Sequence, residues 1–234
     1  MNVLAIDTSN QIMGVALVKD NVLVGEVVTN LTKNHSVRLM PAIDQLMNDT
    51  SMLPDQLDEI VVAKGPGSFT GVRIGLATAK AMAWSLGIPV KGVSSLETLA
   101  YQGSFFNSYI CPFFDARRGL VYTGLYQWAD DRMVLVEKEV NIRMDEWLDY
   151  IANDQKQVLF LSQDIEMHRS LIKEKIGDLA YIPDLNYHIA KPSHLALAGK
   201  DKQAENTHAL TPNYLRLVEA EANWLKAQKD KTNA

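Results

Sequence analysis

Two short stretches of this 234-residue chain carry the residue types from which an anion or nucleotide site is built. One is Gly65-Pro66-Gly67-Ser68-Phe69-Thr70-Gly71, which follows the apolar run Ile60–Ala63 and opens a long helical pattern. A glycine-rich turn between strand and helix aims backbone N–H groups and the positive helix end at an anion. Its spacing matches neither nucleotide fingerprint. Val72-Arg73 follow Gly71 where a P-loop needs Lys and then Ser or Thr, and Gly-x-Gly-x-x-Gly is missing. Phosphate contact through Gly67 and Ser68 therefore stands beside a second reading, a tight turn with a purely architectural role. The other stretch is Asp7, closing an apolar run and followed by Thr8-Ser9-Asn10. A carboxylate there could orient magnesium or water in a nucleotide cleft. Alternatively it accepts hydrogen bonds from its own turn. Thr8 and Ser9 have no neighbouring His–Asp relay, so no catalytic residue is assigned.

Other chemistry is sparse. The five histidines, His35, His168, His188, His194 and His208, form no His-x-x-x-His or His-Glu-x-x-His, so no metal ligand is assigned. The single cysteine, Cys111, sits in Tyr109-Ile110-Cys111-Pro112-Phe113 and reads as a buried structural thiol. Asp115-Ala116-Arg117-Arg118 reads as a charged turn, with Arg118 a weaker candidate for an anion contact. Lys and Arg number 23 against 28 Asp and Glu, a formal net charge of -5. That balance lacks the dense positive field of an autonomous nucleic-acid binder; binding within a complex stays open. Met1–Ile6 lacks the basic flank of a signal peptide, and no apolar run reaches the ~20 residues of a membrane helix. A cytoplasmic protein without membrane attachment is expected.

The elements that must position these residues follow from periodicity. Val3–Ile6, Ile12–Val18 and Val22–Val28 read as strands, the last two joined at Asp20-Asn21. They predict a mixed sheet rather than a simple βαβ start. Val37, Met40, Ile43, Leu46 and Met47 recur at helical spacing after Ser36, with Pro41 inside the pattern. A strand at 60–63, a helix over 71–86 stopped by Gly87, and a strand at 88–93 come next. Ser94-Ser95-Leu96-Glu97 has the form of a capping box. Further strands are predicted at 109–114, 120–128, 133–140 and 158–161, and helices at 145–151, 165–176, 192–198 and 220–228. This α/β pattern divides into 1–102, a smaller unit 103–208 and a C-terminal segment 209–234 that packs back on the body. Along the 71–86 helix, Gly71, Gly75, Ala79 and Ala83 form a stripe with almost no side-chain bulk, so another backbone can approach closely. Whether that backbone is its own or a partner's stays open.

Read in order, Leu4–Ser9, His35-Ser36 with Leu39-Met40-Pro41, Gly65–Gly75, Asp115–Arg118 and Pro212–Arg216 resemble the TsaB family of glycoprotease-like proteins over essentially the whole chain. The resemblance implies two domains of the actin-like ATPase fold, the second reduced. It implies a non-catalytic scaffold that dimerises with a TsaD-type catalytic subunit, which transfers threonylcarbamoyl to adenosine beside the anticodon of tRNAs reading codons that begin with A. A TsaE-type ATPase joins the pair, tRNA is met only through the complex, and the chain alone forms a homodimer. The metal-binding His-x-x-x-His of TsaD-like proteins is missing, since Asn34–Leu39 offers only His35. No intrinsic cofactor is implied, although an adenine nucleotide at the assembled interface is compatible with it. Carried over, the family's partner-binding helices point to Val37, Met40 and Ile43, and to Val72, Gly75, Leu76 and Ala79. The competing readings are an ATP-dependent small-molecule kinase or acyltransferase using Asp7 and the 65–71 turn, and, on the old family label, a metallopeptidase.

Overall fold

A computed structural model describes residues 1–31 and 34–215 of the chain. The 220–228 helix and Arg216 of the sequence reading lie outside the described residues. Strands β1 (Asn2–Asp7), β2 (Ile12–Lys19) and β3 (Val22–Asn30) form an antiparallel meander. Helix α1 (His35–Asp49) leads to β4 (Glu59–Ala63), α2 (Phe69–Leu86) to β5 (Val90–Val93), and α3 (Ser95–Ala100) follows. β4 lies parallel to β1 and β5 parallel to β4, giving the order β3-β2-β1-β4-β5. Asp20 and Asn21 both have positive φ, the geometry of the two-residue hairpin turn that the strand twist favours. Ser68 caps α2 through its side chain, and Gly87 ends it in the left-handed region, as its position predicts.

The second half repeats this plan. It runs β6 (Tyr109–Asp115), β7 (Leu120–Ala129), β8 (Arg132–Arg143), α4 (Met144–Ala152), β9 (Val158–Leu161), α5 (Ile165–Ile176), β10 (Ala180–Tyr181) and α6 (Pro192–Gly199). The sheet order β10-β9-β6-β7-β8 has the same parallel and antiparallel partners as the first sheet. Even the β7–β8 turn repeats the positive φ pair, at Asp130 and Asp131. The sequence carries no visible repeat, so the duplication is a finding of the structure. Doubled in this way, the α/β fold is the actin-like ATPase architecture that the resemblance implies. The second unit is shortened at its far edge, where β10 has two residues.

Strand alternation assigns each sheet face to its own core. Leu4, Ile6, Val15 and Leu17 pack with α1 and α2. Cys111, Phe113, Val121 and Phe160 pack with α4 and α5. The inner faces share a third core, in which Val3, Ala5, Ala16 and Val61 meet Ile110, Tyr126 and Leu159 through α3 and α6. The two inner helices exchange sheets: α6 packs across the first sheet and α3 against β6, β7 and β8. Small residues let α6 sit close. A Cβ on Gly14 would lie 3.0 Å from Pro192 Cδ. Ser94 caps α3 through Leu96 and Glu97 amides, but Glu97 does not complete the capping box. Its carboxylate pairs with Lys202 at 2.8 Å instead.

His194 on α6 is held by burial, with Lys191 acting in the same direction, at a pKa of about 4. The unfolded ring titrates near ~6.5. Between these values the unfolded chain binds a proton that the folded chain refuses, so stability rises with pH through this window and is lost on acidification. His194→Gln should flatten the slope of urea stability between pH 4 and 6.5, removing roughly 2–3 kcal/mol of pH-dependent loss. Equal slopes in variant and wild type would show that another group carries the effect.

Candidate functional site

The site grows from the exit of β1. Asp7 is buried, and its carboxylate accepts from the Ser9 amide at 2.8 Å and the Ser9 hydroxyl at 2.7 Å. Burial pushes its pKa up, opposed by the two Ser9 hydrogen bonds and by His35. The next carbonyls hold the glycine-rich turn: the Ser68 amide donates to Ser9 O at 2.7 Å, and the Thr8 hydroxyl donates to Gly71 O at 2.7 Å. Contact is so close that a Cβ on Gly67 would stand 2.1 Å from Ser9 O, and one on Gly71 2.2 Å from Thr8 O. Ser68 Oγ accepts from the Gly71 amide at 3.2 Å. Two of the donors that could have met a phosphate are thus satisfied by the chain itself. Of the alternatives open in the sequence, the geometry has the Asx-turn for Asp7 and tight-turn architecture for 65–71.

Above this junction, a cleft of about 510 Å³ opens between the units. Asn10, Gly67, Ser68 and Thr70 line one wall, and Asp115, Arg117, Tyr122 and Gln163 the other. Gly67 and Ser68 line the cleft, whereas Asp7 is buried and does not. Its place is taken by Asp115, which ends β6 as Asp7 ends β1. Asp115 accepts from the Arg117 amide two residues on, at 3.0 Å, as Asp7 does from Ser9. Its other oxygen lies 3.3 Å from His168 Nε2, and its amide donates to Asp164 at 3.0 Å. Burial raises the Asp164 pKa, with Asp115 adding to the rise. Arg117, not Arg118, reaches the cleft. Such a lining, one carboxylate, one guanidinium and several amides, suits a polar ligand. Among the described residues no group of three His, Cys, Asp or Glu is placed to hold a metal ion. Cys111 is buried, with its thiol pushed up to about 11 by desolvation, and it contacts Thr123 and Trp147.

The helical faces need correction. Ile43, Val72, Leu76 and Ala79 are buried in the core that joins α1 and α2 to the first sheet. Gly75 is buried against Thr8, whose Oγ1 lies 2.6 Å from a Cβ placed there. These five residues therefore hold the helices on their own sheet and are closed to a partner. The apolar stripe of an amphipathic helix faces the nearest core, and the Gly71-Gly75-Ala79-Ala83 row is what lets α2 lie close to β1 and β4. Val37 and Met40 are 67% and 48% exposed. On α2, Ala77, Ala81 and Trp84 are exposed, Trp84 by 71%. Trp84 carried no role in the sequence reading, although an aromatic one position past the buried Ala83 was a signal of an apolar outer face.

A polar seam joins the units. Glu139 on β8 accepts from the Ser94 hydroxyl, from Tyr126 Oη at 2.5 Å and from Asn213 Nδ2 at 3.0 Å. The Asn213 amide donates to Lys64 O at 2.7 Å, and Lys64 pairs with Glu205 at 2.9 Å. Tyr214 then accepts from Arg73 Nε at 2.8 Å, while the same guanidinium lies 3.6 Å from the Phe69 ring centroid. The segment through Leu215 thus straps α2 to the second sheet.

Comparison with known proteins agrees with this architecture. The family model described as "TsaD: tRNA N6-adenosine threonylcarbamoyltransferase" matches residues 23–224, which puts the chain in that broad class. The tRNA threonylcarbamoyladenosine biosynthesis protein TsaB of Bacillus subtilis is 49% identical over 229 residues, covering 98% of this chain and all of the relative. The chain belongs to the TsaB family. Escherichia coli TsaB is 34% identical over 130 residues, 54% of this chain and 55% of that one. YeaZ from Pseudomonas aeruginosa shares the fold, with a TM-score of 0.75 at 24% identity over 92% of this chain and 99% of the other.

The junction makes a stability prediction. Gly71→Ala drives a methyl into the Thr8 carbonyl and should cost roughly 2–3 kcal/mol in urea unfolding. Gly87→Ala has open space at its Cβ but a φ of 69°, and should cost only about 1 kcal/mol. A Gly71→Ala loss no larger than that of Gly87→Ala would contradict the close approach.

Proposed function

We propose that this chain is the non-catalytic scaffold that dimerises with and activates a TsaD-type subunit for threonylcarbamoyl transfer to adenosine beside the anticodon of tRNAs reading codons that begin with A. The full-length identity to Bacillus subtilis TsaB carries this reading. Its docking face is the outer surface of α1 and α2: Val37 and Met40, with Ala77, Ala81 and Trp84. Small residues between larger apolar ones allow close helix packing with depressions for a partner's side chains. Alone, the chain pairs with a second copy through the same face. A TsaE-type ATPase joins the heterodimer, tRNA is met through the complex, and the assembly works in the cytoplasm. An adenine nucleotide at the assembled interface would meet Gly67 and Ser68 from the cleft side. We also divide the chain into functional units at 1–102, 103–208 and 209–234. The kinase or acyltransferase alternative loses Asp7, the carboxylate it relied on, because Asp7 is buried and bonded to Ser9.

Reconstituted transfer to tRNA with the TsaD-type and TsaE-type subunits should depend on this chain; full activity without it would end the proposal. Met40→Asp with Trp84→Asp should weaken heterodimer formation by more than about tenfold while leaving unfolding nearly unchanged. Ile43→Ala should do the reverse, costing roughly 2–5 kcal/mol of the chain's own stability. Unaltered association of the double variant, measured by titration calorimetry, would remove this face from the interface.

A further inference from the structure

A second cavity, of about 340 Å³, lies away from the cleft where the β7–β8 turn meets α6. Tyr122 lines the cleft and Trp128 lines this cavity, six residues or ~20 Å apart along β7. Three rings from three elements converge here. Tyr101 meets Trp128 edge-on at 5.7 Å between centroids and His194 at 6.2 Å, tilted by 40°. Leu197 completes the apolar wall, and Asp131, Asp201 and Lys200 stand at the rim. Among the described residues neither Asp131 nor Asp201 belongs to an ion pair.

We propose that this cavity binds a small organic cation of the alkylammonium class, seated among the Tyr101, Trp128 and His194 rings and attracted by the Asp131 and Asp201 carboxylates. Aromatic faces carry negative potential and favour a weakly hydrated cation, most strongly when its hydration shell is replaced by rings rather than by a single counter-ion. Of the lining charges two are carboxylates and one is an ammonium, while outside the lining Lys191 and Glu26 act on His194 with opposite signs. His194 does not compete as a cation at neutral pH, because burial and Lys191 keep its ring uncharged. Tyr101 senses the same field. Its hydroxyl pKa is raised by burial first, then by the Glu97 carboxylate, with Asp201 adding to the rise. A cavity of this size is ample for a quaternary ammonium with a short polar tail.

Calorimetry of the full chain with choline, against its uncharged isostere 3,3-dimethyl-1-butanol, tests the idea. Choline should bind at least about fivefold more tightly than the alcohol. Trp128→Leu should erase that preference. If it unfolds the chain, the surface pair Asp131→Asn with Asp201→Asn serves instead, since Asn suits the positive φ of residue 131. That pair should weaken choline by about fivefold and leave the alcohol unchanged. Equal binding of choline and its isostere, retained choline affinity in the Asn pair, or no heat up to ~50 mM choline would each overturn the proposal.

Discussion

The hydrogen bond from the Ser68 amide to the Ser9 carbonyl, 2.7 Å long, is the constraint from which the first unit is built. It locks the exit of the central strand to the start of the longest helix. Thr8 adds a second bond to Gly71, and glycine at 67 and 71 removes the Cβ atoms that would hold the two backbones apart. Because both partners are main chain, a side-chain change elsewhere cannot replace this contact. It sets how deep α2 lies on the sheet, and so which of its residues are core and which remain outward. The same bond uses an amide that would otherwise face a phosphate. Architecture and nucleotide chemistry compete for one donor here, and architecture has it.

Duplication explains why the second unit takes up what the first has given up. Both central strands end in an aspartate that accepts from the amide two residues on. In the first unit that carboxylate is buried and bonded to Ser9, the residue whose carbonyl holds the glycine-rich turn. No such turn follows β9, where Ser162-Gln163-Asp164 leads directly into α5, so Asp115 stays at the cleft wall. The exchange of α3 and α6 between the sheets then ties the halves into one body. Ser94 joins the two kinds of order: its oxygen caps α3 while its proton goes to Glu139 on the opposite sheet. Capping the helix and docking the units are one arrangement, not two.

What the sequence reveals and what it withholds follow from the range of each interaction. Val158–Leu161 and Ile165–Ile176 match their predicted bounds because short apolar runs and helical spacing are local. Ser94 is legible as a cap for the same reason. The partner of Glu97 is not, because Lys202 comes from a distant segment. Helical spacing groups Ile43 with Leu46 and Leu76 with Ala79, but it cannot say what a face meets. Five of the seven residues carried over as a partner surface, Ile43, Val72, Gly75, Leu76 and Ala79, lie on the stripes that face their own sheet. Val37 and Met40 escape because they sit off the buried stripe. The repeat was hidden because matching strand exits need only an aspartate and a turn. Its faintest trace was the pair of turns Asp20-Asn21 and Asp130-Asp131, each of which requires φ above zero at both positions.

Polar groups are divided unevenly between the seam and the cleft. On the seam side, the described charged groups are mutually satisfied: Lys64 with Glu205, Lys202 with Glu97, and Glu139 with three neutral donors. Breaking any of these leaves a partly buried charge without its partner, so that side resists opening. Across the cleft the lining is mostly amides and hydroxyls, with one carboxylate and one guanidinium. The units are thus joined by this seam as well as by the core that their inner sheet faces share. Tyr214 and Arg73 connect the secured edge to the start of α2, and α2 carries the exposed Ala77, Ala81 and Trp84. The strap and the Ser9–Ser68 junction both grip α2 within its first two turns.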